Sequence, residues 1–111
     1  MSMTKLITAV QELVKEEYER AAEQYGPAHA SQHEAYAVMR EEFQEAVEEL
    51  NKVGELIEER FWMNVRNNDA ESNEGVADVI TAHAVMCACE CIQTAAMAVK
   101  SLYKKGDSNA E

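Results

Sequence analysis

Proline occurs once and glycine four times in these 111 residues. So few turn formers exclude a chain of many short strands, and Ala, Glu, Met and Lys are common, which is the composition of an all-helical protein. Basic residues are scarce: 10 Lys and Arg stand against 21 Asp and Glu, for a net charge of -11. A surface this acidic repels nucleic-acid backbones and anionic membranes, so neither is an expected partner. A phosphorylated substrate would need a metal ion between acid and anion. No run approaches the ~18 consecutive apolar residues of a membrane span. The first residues lack the basic-then-apolar pattern of a secretion signal. The three cysteines, Cys87, Cys89 and Cys91, are too closely spaced on one helix to make an ordinary disulfide framework. A reducing cytoplasm is the expected location, the host cytoplasm if the chain is phage-encoded.

What is present is a hydrophobic content of 47%, enough for a core. The length suits a single domain, residues 1–111. Thr4 is a plausible N-cap, and Met3, Leu6, Ile7, Val10, Leu13, Val14, Ala21 and Tyr25 share one face of a first helix over about 4–25. Glu17 lies near the centre of that face; it either reaches a shared site or extends past the core, and the second reading is favoured. Gly26-Pro27 is the strongest break. Ser31, with Glu34 three residues on, forms a capping box that opens a second helix over about 32–67. Gly54 is its internal weak point. At ~1.5 Å per residue it would be about 50 Å long, so it breaks or extends into a partner. Asp69 or Ser72 caps a third helix over about 70–104, closed by Lys104, Lys105 and Gly106. Residues 107–111 form a mobile tail.

The third helix is apolar on two sides. Val76, Val79, Ile80, Cys87, Cys91, Met97 and Ala98 make one face; Val85, Ala88, Ile92, Ala96, Val99 and Tyr103 make the other. Both must be buried, and a subunit interface on the second face is the simplest answer. The expected architecture is therefore all-α, a three-helix chain assembling into an oligomeric helical bundle, as a homodimer or homotetramer.

Acids interrupt the apolar faces. The stripe of the second helix runs through Ala35, Val38, Met39, Ala46, Leu50, Val53 and Ile57. Glu42 falls within roughly 20° of its middle and Glu49 within about 40°, with Glu45 at the edge. On the third helix His83, Glu90 and Thr94 lie near the centre of the first face, with Gln93 at its flank. Inward carboxylates are costly unless paired, and a divalent cation is one solution. Mg²⁺ takes oxygen ligands and is commonly shared between a few carboxylates and substrate phosphates. Overlapping ExxE spacings also arise in any Glu-rich helix, which is the plainer reading of Glu42, Glu45 and Glu48. His33 and Glu34 open the second helix, where an anion can bind; the alternative for His33 is a surface histidine beside a cap. His83 reads as a satisfied core histidine, the cysteines as small core residues, and Phe61, Trp62 and Tyr103 as packing residues. Lys100, Lys104, Lys105 and Arg66 either contact phosphates or solvate helix ends.

Val38-Met39-Arg40-Glu41-Glu42-Phe43-Gln44-Glu45 resembles the EExxE motif of the all-α NTP pyrophosphohydrolases, the MazG-like proteins. The longer pattern from Ser31 through His33-Glu34-Ala35-Tyr36 to Glu41-Glu42, with Glu90-Cys91-Ile92-Gln93-Thr94-Ala95-Ala96-Met97-Ala98 and Lys100 later, is similar to small phage and prophage proteins grouped with that superfamily. The resemblance covers about residues 29–104. It implies an oligomeric all-helical fold that binds Mg²⁺ and cleaves nucleoside triphosphates to monophosphate and pyrophosphate. On the resemblance, Glu42 and Glu45 match the first acidic pair, and Glu90-x-x-Gln93 stands for the second, with Gln93 where an Asp is expected and a longer gap than usual.

The resulting expectation is a Mg²⁺-dependent pyrophosphohydrolase or close relative. Glu42, Glu45 and Glu90 hold the metal, and Glu41 or Glu49 acts as base. His33, Glu34, Gln93, Lys100 and Lys104 contact a nucleotide or related phosphorylated small molecule. Two other readings stand beside it. One is a non-catalytic phage protein that sequesters a nucleotide signal, which the Gln93 substitution favours. The other is an acidic interaction module covering a partner's basic surface.

Overall fold

The computed structural model describes residues 2–104. The architecture is all-α, with no strand among the described residues. Helix α1 spans Met3–Tyr25. Its N-cap is Ser2, whose hydroxyl accepts the Lys5 N–H at 3.3 Å. The expected cap, Thr4, lies inside the first turn, and its carbonyl accepts the Thr8 hydroxyl instead. The helix stops where expected. Gly26 adopts φ 94, the left-handed region that glycine enters at least cost, and donates its N–H to the Ala22 carbonyl at 2.8 Å.

Helix α2 spans Gln32–Glu55. The Ser31 hydroxyl accepts the Glu34 N–H at 3.1 Å, as half of a capping box. The Glu34 carboxylate reaches one residue further back and accepts the Ala30 N–H at 3.0 Å. Two residues after Gly54 the helix widens into a π-helical segment, Leu56–Phe61, and then continues as α3, Trp62–Arg66. The weak point at Gly54 thus precedes a wide turn, which inserts one extra residue per turn without ending the helix. Asn68 turns the chain with φ 53, a conformation that Asn tolerates better than most residues. Asp69 then caps α4, Ala70–Lys100, by accepting both the N–H and the hydroxyl of Ser72. Helix α4 ends at Lys100, four residues short of expectation. From there Leu102 and Tyr103 donate to carbonyls three residues back, a tightened turn that departs from the α-helical path. Gly106 and the tail 107–111 lie outside the described residues.

The described residues pack as two compact units, residues 2–43 with 91–104, and residues 44–90. In the first, Tyr18, Ala21, Ala96 and Met97 form a small buried cluster, flanked by Val14, Ala22, Val38, Met39, Val99 and Tyr103. Tyr18 stacks on Tyr103 with ring centroids 5.3 Å apart, and its hydroxyl donates to the Pro27 carbonyl. Helix α1 therefore covers Ala96, Val99 and Tyr103, the C-terminal part of the α4 face that the sequence reading left for another subunit.

In the second unit, Ala46 is buried and the Cys87 thiol lies 3.4 Å from its carbonyl. Glu49 faces His83, so three steps along α2 match four steps back along α4, an antiparallel register. Asn73 is buried; its amide donates to the Phe61 carbonyl at 3.2 Å and its oxygen accepts from the Asn64 amide at 3.0 Å. Trp62 and Val85 are exposed, so Trp62 is not the packing residue expected of it. Helix α4 is long and apolar enough to cross a membrane, with a mean hydropathy of 1.5 over eighteen residues. None of that described stretch is buried within the chain, so the burial on two sides that its composition implies is not met here.

Candidate functional site

The first unit contains a cavity of about 810 Å³ whose walls combine both signs of charge. Helix α2 contributes Glu34, Glu41 and Glu42, α4 contributes Gln93 and Lys100, α1 contributes Arg20, and the loop between α1 and α2 contributes His29. Five of the ten sequence-predicted site residues meet here: Glu34, Glu41, Glu42, Gln93 and Lys100.

Lys100 is the most informative of them. It is only 6% exposed. No carboxylate of a described residue lies within 4.0 Å of its ammonium. Burying a lysine costs free energy that a close ion pair usually offsets. Here the compensating acid, Glu34, acts at longer range: the lysine's charge contributes to lowering the Glu34 carboxyl. The larger cause of that lowering is the N–H that Ala30 donates to it.

His29 is 7% exposed and sits beneath the same loop. Its Nε2 is 3.0 Å from the Met97 carbonyl, which can only accept, so Nε2 carries the proton. Its Nδ1 is 3.6 Å from Glu34 Oε1. Sequence reasoning passed over His29 because a loop residue has no periodicity to place it. His33, named as a candidate ligand contact with a surface histidine beside a cap as the alternative, is exposed.

Glu17 is not a residue that runs past the core. Arg20 pairs with it and holds its carboxyl below the usual range, and the Gln93 amide donates to it as well. Gln93 is thus anchored to α1 while it borders the cavity.

Within the first unit, Glu41 and Glu42 of α2 both border this cavity. Glu42 is half-buried and Glu41 is exposed. Carboxylates are hard-oxygen donors of the kind that suits Mg²⁺ or Ca²⁺. Glu41, read from sequence as a base, belongs to this group.

The second unit holds the remaining acids. Glu45, Glu48, Glu49 and Glu90 border a cavity of about 300 Å³ with Met86 and Cys89. Glu90 is half-buried, with Oε2 shielded from solvent. Glu49 accepts a hydrogen bond from His83 Nδ1 at 2.6 Å and lies 3.6 Å from Lys52. The His83 bond is the main cause that holds its carboxyl below the usual range. A carboxylate engaged in this way makes a weak general base. His83 is the satisfied histidine that its position on an apolar face implied. Lys104 is exposed and borders a separate cavity of about 590 Å³ with Tyr36 and Tyr103.

No protein-family model matches the chain, and neither a curated protein nor a solved structure matches it.

Proposed function

We propose that this chain binds Mg²⁺ together with a nucleoside triphosphate or a related phosphorylated small molecule, and that it cleaves the triphosphate to monophosphate and pyrophosphate. The observation that carries the reading is Lys100, a buried cation without a close counter-ion among the described residues, bordering one cavity with the carboxylates Glu41 and Glu42. Acids alone repel a phosphate, and a lysine alone does not call for acids. The two together suit a phosphate that arrives with its cation. The cavity volume of about 810 Å³ falls within the roughly 300–1,000 Å³ common for small-molecule sites.

Glu41 and Glu42 would hold the ion, which when bound neutralises phosphate oxygens and lowers the pKa of water. Lys100 would meet the phosphate oxygens on the opposite wall. His29 and Glu34 hold the loop that closes this end of the cavity, and Arg20 is oriented by Glu17. The second reading is binding without turnover. Gln93 favours it, since an amide stands where a further acid is expected, and so does the engagement of Glu49 by His83.

A panel of nucleoside triphosphates with Mg²⁺ tests both. Release of pyrophosphate that is lost in Glu42→Gln supports the enzyme. A ligand-induced rise in melting temperature without release supports the binder. No thermal response to any nucleotide, with or without Mg²⁺, removes both readings.

A further inference from the structure

The bond to Glu49 satisfies one nitrogen of His83 and leaves the other. The Glu49 carboxyl is held below its usual range, so it is ionised and can only accept; Nδ1 therefore carries the proton. Nε2 of the neutral ring keeps a lone pair, and no described residue partners it. The ring borders a cavity of about 320 Å³ in the second unit, together with Lys52, Glu55, Glu59 and Arg60. We infer that this cavity is a second ligand site, for a free α-amino acid with an apolar side chain. The inference does not depend on the cavity that holds Lys100.

Three observations select this class of ligand. The first is the wide turn. Glu55 and Arg60 are five residues apart, which on an α-helix would set them about 140° from each other. The i to i+5 winding of Leu56–Phe61 brings both to one cavity, and segments of this kind recur at functional sites. The second is charge. Two cations, Lys52 and Arg60, share the wall with two acids, Glu55 and Glu59, and no ion pair within 4.0 Å joins Arg60 to either acid. Opposite charges that stay apart around one cavity match a ligand that carries both. A guanidinium suits a carboxylate, which it can engage with two parallel hydrogen bonds. The two acids and the Nε2 lone pair are acceptors for an ammonium. A bare metal ion is disfavoured by the two cations. The third is size and polarity. The volume lies at the small end of the roughly 300–1,000 Å³ usual for small-molecule sites. Leu56 and Val79 give the remaining wall an apolar surface for a side chain. Glu49 acts here as a positioning residue, fixing the tautomer of the ring as carboxylates do behind ligating histidines.

Calorimetric titration of the full chain with leucine tests the inference. Isocaproate, which lacks the ammonium, isoamylamine, which lacks the carboxylate, and inorganic phosphate are titrated beside it. The expected result is binding of leucine, with the other three weaker by about tenfold or more. Leucine should also move the nitrogen resonances of the His83 ring. Glu55→Gln and Arg60→Gln, both at exposed positions, should keep the parent's helicity and each weaken leucine by about tenfold, the loss of one charge-assisted bond. Lys100→Met should leave leucine binding unchanged. No response to leucine, isoleucine, valine, methionine or phenylalanine would overturn the inference. So would isocaproate or phosphate binding as tightly as leucine, which would make this a plain anion site, or unchanged affinity in Arg60→Gln. Loss of leucine binding in Lys100→Met would place the ligand in the other cavity and overturn it as well.

Discussion

The ring of His29 donates from Nε2 to the carbonyl of Met97 at 3.0 Å, across 68 positions of sequence. This one bond fixes the loop after Gly26-Pro27 against α4, close to where Lys100 emerges from the same helix. It makes the loop part of the cavity wall.

Replacing His29 by Ala is predicted to cost about 1–3 kcal/mol, the usual penalty for leaving a buried polar group without its partner. His29→Gln, which keeps a donor, should recover part of it. Urea unfolding with an unchanged m-value measures the difference. An unaltered midpoint in His29→Ala would show that the loop is held by other contacts.

Lys100→Met should separate stability from binding. Removing a buried charge that lacks a close partner among the described residues is expected to leave the fold as stable as before, or more stable by about 1–2 kcal/mol. The same change should abolish the thermal shift produced by nucleotide and Mg²⁺. Calorimetric titration and thermal melts, run on one preparation, read both. A variant that still binds nucleotide with unchanged affinity would take Lys100 out of the site.

The acid limb of the stability curve should report Glu49. Its folded pKa is lowered, chiefly by the His83 hydrogen bond. A lowered carboxyl adds stability that is fully present above the ordinary glutamate value of about 4.3, and that stability is lost as pH falls through the lower folded value. His83→Phe should therefore move the acid-unfolding midpoint upward, as followed by circular dichroism. No movement would mean that the pair is not linked to folding.

Asn73→Ala is predicted to destabilise by about 2 kcal/mol, because the Phe61 carbonyl at the end of the wide turn loses its donor. Asn73→Asp should cost at least as much, since a carboxylate can only accept. Chemical denaturation ranks the two. If both match the parent chain, the side-chain bridge is not what stabilises the turn.

The helices were legible because apolar spacing, Gly26-Pro27, Ser31 and Asp69 all act locally. Burial of both faces of α4 is not met in the chain: Val79, Cys91 and Ala98 of one face and Val85 and Ala88 of the other are exposed, and α1 covers only one end of the second. The site was legible only by direction. Helical phase turns Glu42 and Glu49 inward, and both are half-buried. Phase says which side a residue faces, and it does not say what stands opposite. Glu49 meets His83, and Glu17, read as lying past the core, meets Gln93. Lys100 was read as a choice between phosphate contact and a solvated helix end. In the folded chain it is buried. His29 left no periodic trace at all.

The wide turn at Leu56–Phe61 is, in effect, a one-residue insertion accommodated without a loop. A heptad ladder counted from α2 into α3 loses its frame there and lands about 100° from where the side chain points. Deleting a single residue from this stretch would leave every helical propensity intact. Because the wide turn already absorbs that extra residue, the deletion would return the segment to ordinary α-helical winding with Asn64 still in line with Asn73, so this stretch tolerates a change of length that a regular α-helix would not.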